Sequence, residues 1–137
     1  MLKDRIEEYY IGKDYNCAES MLHAINDEYS LGLRDEDFLL VGAFGGGCGC
    51  GMICGALAAA MSALGRMAIT ERAHATEGFK ELCADYADAF RKRLSAVDCA
   101  DIKPRYFEED TRCLRTVLEA CTAFEEYVKE KKLNPQH

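Results

Sequence analysis

Apolar positions recur at helical spacing along most of the chain. Asp14, Tyr15 and Asn16 offer caps for a helix over residues 17–27, "CAESMLHAIND", in which Cys17, Met21, Ala24 and Ile25 share one face. Gly32 follows as a turn residue. Residues 34–44, "RDEDFLLVGAF", predict a second helix with the acidic first turn that the helix dipole favours. A third spans about 52–67, where Gly55, Ala59 and Ala63, with Ala56 and Ala60 beside them, form a stripe of small residues suited to close helix contact. A fourth runs from 70 to about 94, with Phe79, Leu82, Cys83, Tyr86 and Phe90 inward. Residues 95–110 read as a connection, because Pro104 opposes helix. A last helix covers about 109–132, with Cys113, Val117, Ala120, Cys121, Phe124 and Val128 inward. No stretch alternates as a strand does. The expected fold is all-α: one domain over residues 1–137, a bundle of four to five helices, with a glycine- and cysteine-rich loop capping a central buried helix.

That loop is the unusual feature. Five of the eleven glycines and three of the eight cysteines fall within residues 45–54. Residues 38–65 carry no charge, a length that could span a bilayer, but the glycines would break a helix in lipid. The net charge of −7 argues against a nucleic-acid surface. The run Arg91, Lys92, Arg93 reads as a solvated helix end. The N-terminus is charged from Lys3 and has no apolar secretory core, so the expected location is cytoplasmic, with thiols reduced rather than paired.

No two cysteines have the C-x-x-C spacing, and no haem-attachment motif occurs, so any site must be assembled by the fold. His23, His74 and His137 are scattered, and His23, off the Cys17 face, reads as a surface residue. Cys54 falls at a helix start, where amides and dipole favour thiolate. Amides exposed by Gly46, Gly47, Gly49 and Gly51 suit a negatively charged, sulfur-containing centre. No phosphate-loop or dinucleotide pattern is in register, so no nucleotide is expected. Cys48 and Cys50 alternate with glycine and face similar sides if extended. They are metal ligands, a redox pair with Cys54, or incidental loop thiols. Cys83 and Cys121 read as core, as does Cys113 by pattern alone, while Cys99 sits in a polar connection.

"NCAES" at 16–20, "AFGGG" at 43–47, "CGALAAA" at 54–60, the Asp98-Cys99 pair and Cys113 together resemble the C_GCAxxG_C_C family of redox-active proteins over roughly residues 14–128. The chain departs at Ala59, where the family has glycine, and adds Cys48 and Cys50. A similar domain occurs in split-Soret cytochromes beside an iron–sulfur centre, but their haem motifs are missing, so no haem is carried over. The resemblance implies metal-binding Cys17, Cys54, Cys99 and Cys113 and an iron–sulfur cluster for electron transfer or redox sensing. Two alternatives stand beside it. One is a thiol–disulfide oxidoreductase with Cys54 as nucleophile and Cys17, Cys50 or Cys48 resolving. The other is a non-enzymatic metal or sulfur carrier. The small-residue stripe and uncharged centre suggest a homodimer, and a redox protein calls for a redox partner.

Overall fold

The first helix begins where its caps place it. In a computed structural model of the chain, which describes residues 1–133, the Glu19 N–H donates to Asn16 Oδ1 and the Asn16 N–H donates to Glu19 Oε1, both at 3.0 Å. This reciprocal box satisfies two amides that a helix end otherwise leaves open. Helix α1 then runs Cys17–Tyr29 and stops at Ser30, whose φ is 54°. It lays Met21, Ala24 and Ile25 against α2 (Gly55–Ala68). There Ala56, Ala59, Ala60 and Ala63 are fully buried, so the small-residue stripe is consumed inside the chain. Full burial of a side chain such as Ile25 stabilises by about 1.5–3 kcal/mol. Helix α3 (Phe79–Leu94) pairs with α5 (Leu114–Lys131), and Tyr86 meets Phe124 edge-on at 5.7 Å. Among the described residues the fold is all-helical; its only strand-like features are two isolated bridges.

Four elements differ from the sequence reading. Residues 35–44 form a 3-10 helix, Asp35–Phe44, rather than an α-helix. Its inward residues Phe38, Val41 and Phe44 recur every three positions, which is the 3-10 period. Leu39 and Leu40 are left outside, 74 % and 76 % exposed. Helix α3 starts at Phe79, not near 70, because Gly78 precedes it with φ 76°. Helix α4 (Cys99–Tyr106) forms despite Pro104. The ring removes one late donor, while the first turn holds through the Asp101 and Ile102 N–H groups, which donate to the Asp98 carbonyl at 3.0 Å. Helix α5 starts at Leu114, not 109, because Arg112 with φ 55° closes a turn onto Glu108 first. The N-terminal segment, unassigned from sequence, buries Leu2, Ile6 and Tyr10 in the same core.

His23 is not a surface residue. Its ring stacks 3.7 Å from Phe38 and 4.7 Å from both Tyr9 and Tyr15, and burial pulls its pKa down. The face opposite the core stripe of α1 is covered by the N-terminal segment and the 3-10 helix. His137 lies outside the described residues. No helix among those described is long and apolar enough to cross a membrane. The uncharged run is divided between the 3-10 helix, the glycine loop and the 14-residue α2.

Candidate functional site

Four α-helices begin around one cavity, and each brings a cysteine. Cys17 is the first residue of α1, Cys54 the N-cap of α2, Cys99 the first residue of α4 and Cys113 the N-cap of α5. All four line a cavity of about 60 Å³, together with Gly46, Gly55, Ile102, Lys103 and Thr116.

Local backbone bonds assemble this arrangement. The segment before α2 lies antiparallel to the segment before α4. The Cys54 N–H donates to the Val97 carbonyl at 2.8 Å and the Cys99 N–H to the Met52 carbonyl at 2.6 Å. Cys17 is held beside the end of the 3-10 helix that leads into the loop by Asn16, whose Nδ2 donates to the Gly42 carbonyl at 2.9 Å. Cys113 is fixed by Tyr10: its N–H donates to the Tyr10 hydroxyl at 3.0 Å. Gly55 admits the Cys17 sulfur, since a Cβ there would stand 2.6 Å from Cys17 Sγ.

The sulfurs lie in one another's field. Burial pushes the Cys54 thiol up to about 12, with Cys17 and Cys99 adding to the rise while the Leu57 and Ala56 N–H groups oppose it. Cys17 is raised, first by burial and then by Cys113 and Cys99, and the Gly46 and Ala18 N–H groups pull it back. Cys113 is raised by burial and by Cys99, against Lys103, the Tyr10 hydroxyl and Arg112. The sequence expectation of a ready thiolate at Cys54 is therefore corrected. The Leu57 and Ala56 N–H groups at the helix start favour the thiolate as expected, but the sulfur makes no capping hydrogen bond and loss of water outweighs them.

The sign of the pH dependence follows. Cys54 holds its proton more tightly folded than unfolded, where its pKa is near 9.0. Its contribution is whole below pH 9 and is lost as pH rises towards 12, by about 1.4 kcal/mol per pH unit. Urea unfolding of metal-free protein at pH 8 to 11 is expected to show wild type losing stability faster than Cys54→Ser. Parallel profiles would contradict this.

The loop residues divide. Gly46 lines the cavity. Gly47 is buried against Met52 and the Cys99 Cβ, Gly51 faces Ala100, and nothing approaches the open side of Gly49. Cys48 and Cys50 are exposed and lie off the cavity wall. Their expected alternation needs extended backbone. Positive φ at Cys48 (60°) and Gly49 (74°) instead curls Gly47–Gly51 into a tight turn, in which the Cys50 thiol donates to the Gly47 carbonyl at 3.6 Å. Cys121 is buried in the core, and Cys83 is half-buried on α3. Sequence reasoning missed Tyr10, Gly55 as the residue that admits the sulfur, Lys103 and Thr116. Only Thr116, one helical turn past Cys113, had a positional signal.

Among the described residues no three His, Cys, Asp or Glu side chains form a group that could hold a metal ion as they stand. The four thiols share a cavity wall without closing on a single point. In comparisons with known proteins, the family model described as "Putative redox-active protein (C_GCAxxG_C_C)" matches residues 15–127. No curated protein and no solved structure matches the chain.

Proposed function

The chain belongs to the C_GCAxxG_C_C family, and on that premise we propose that Cys17, Cys54, Cys99 and Cys113 are the thiolate ligands of an iron–sulfur cluster used for electron transfer or redox sensing. The observation that carries this reading is the convergence of four cysteines, each at the start of a different helix, on one cavity. Each helix start presents roughly half a positive charge, so four of them together favour a negatively charged centre. Four cysteine thiolates are the ordinary ligand set of such a cluster, and they are distributed over two or four irons, so they need not meet at one point.

The cavity fits a small group. A water needs about 10–15 Å³ by the same measure, so 60 Å³ suits an inorganic core walled by its own ligands and is too small for haem or a nucleotide. Bound there, the cluster would supply one-electron exchange. The chain's part is to hold four sulfurs, to aim amides such as that of Gly46 at them, and to keep water away. The finer architecture goes with this reading: the helices bundle around α2, and the glycine loop closes its N-terminal end.

The thiol–disulfide alternative loses its nucleophile. Cys54 is 4 % exposed and burial pushes its thiol well above the ordinary range, where an attacking cysteine needs access and thiolate. The eight free thiols suit a reducing cytoplasm, where a redox partner protein would serve as electron source or sink. For association we propose a homodimer seated on the exposed Leu39 and Leu40, since the alanine stripe is covered within the chain. Light scattering should give twice 15.3 kDa, falling to the monomer mass when both leucines become Glu. A monomeric wild type at micromolar concentration would end that idea. The test of function is purification without oxygen followed by iron and sulfide analysis. Visible absorption with iron and sulfide in equal amounts is expected. Colourless, iron-free protein after reconstitution would refute the cluster.

A further inference from the structure

One polar wall residue of the cavity is neither a thiol nor exposed. Thr116, on the first turn of α5, is 4 % exposed, and its Oγ1 is buried with no hydrogen-bond partner among the described residues. A helical threonine commonly returns its hydroxyl to the carbonyl four residues back. For Thr116 that residue is Arg112, which precedes the helix and turns its carbonyl to the Glu108 N–H at 3.0 Å, and the hydroxyl makes no bond to it. The hydroxyl is thus kept at a cost that valine, of nearly the same shape, would avoid. Tyr86 carries the other unpartnered buried hydroxyl, but it does not line the cavity.

We infer that the Thr116 hydroxyl is a donor held for the group bound in the cavity, where it positions that group and raises its reduction potential. The inference rests on the iron–sulfur reading. A donor aimed at a sulfur of the bound centre stabilises the reduced, more negative form over the oxidised one. Thr116 is a positioning residue, with the four cysteines remaining the ligands. Its signature is a split effect. Removing the hydroxyl should relieve the metal-free fold while making the loaded site harder to reduce.

The test uses full-length wild type, Thr116→Val and Thr116→Ser, each reconstituted without oxygen with ferrous iron and sulfide. Metal-free Thr116→Val is expected to melt at or above wild type. Loaded, its one-electron reduction equilibrium should shift about tenfold towards the oxidised form, which is about 59 mV downwards. Thr116→Ser should keep the wild-type potential. A Thr116→Val potential equal to wild type overturns the inference and leaves the cluster reading standing. A metal-free Thr116→Val that melts several degrees lower also overturns it, because the hydroxyl then serves the protein. A wild type that takes up no iron removes the cluster reading and this inference together.

Discussion

Cys54→Ser is expected to abolish bound iron and visible absorption while leaving the metal-free protein folded. The sulfur is buried, lies in the field of Cys17 and Cys99, and occupies the N-cap of α2. A serine hydroxyl stays protonated and is a poor ligand for iron that prefers thiolate. As a cap, however, serine is among the favoured residues. Its oxygen can accept from the same Ala56 and Leu57 amides that now face the sulfur. The metal-free variant should therefore unfold within about 1 kcal/mol of wild type at neutral pH, so loss of iron cannot be laid to misfolding. Cys121→Ser is the control. Cys121 is fully buried with its sulfur 3.6 Å from Met21 Sδ, so a hydroxyl there costs about 1–3 kcal/mol and iron should remain. Iron assays and melting curves across the two variants check both halves. Full iron in Cys54→Ser would show that the site lies elsewhere.

Gly47→Ala should be the most damaging single methyl in the loop. Its φ is 64°, and a Cβ would stand 2.6 Å from both the N and the O of Met52 and 2.7 Å from the Cys99 Cβ. None of these atoms can move freely. The Met52 N–H donates to the Gly47 carbonyl at 2.9 Å, and the Met52 carbonyl accepts from the Cys99 N–H. Overpacking at about 1–3 kcal/mol and a left-handed non-glycine residue at about 1–2 add to about 2–5 kcal/mol. Gly49→Ala has a similar φ, 74°, but open space, so only the backbone cost of about 1–2 kcal/mol applies. Urea midpoints should separate the two variants. Equal midpoints would mean that the contact with Cys99 does not matter. Gly47→Ala should also weaken iron retention, because the displaced backbone carries Cys99.

These two variants mark how far the sequence reaches. Helices α1 and α2 were legible because caps, 3.6-residue stripes and the glycine break agree locally. Helix α4 was hidden by Pro104, whose cost is offset by the Asp98 carbonyl and by pairing with residues 52–54, neither of which a local pattern shows. The acidic first turn of the segment from Asp35 to Phe44 suggests an α-helix, but Phe38, Val41 and Phe44 fit three residues per turn. The four cavity cysteines came from a family resemblance. Spacing could not supply them, because the chain gathers them from separate helices. Cys113 illustrates the difficulty, since its apolar stripe pointed to the core and its place as an N-cap put it on the cavity. The rule for helix starts gave one influence on Cys54 correctly. Burial, the larger influence, is tertiary and was invisible. So were the Tyr10 contact to Cys113 and the missing partner of Thr116.

The most direct measurement is a crystal structure of the anaerobically purified protein with iron located by its anomalous scattering. The account predicts an iron peak inside the cavity, bounded by Cys17, Cys54, Cys99 and Cys113, with Cys48 and Cys50 away from it. An iron peak at the exposed Cys48 and Cys50, or a reconstituted crystal with no iron in the cavity, would contradict it.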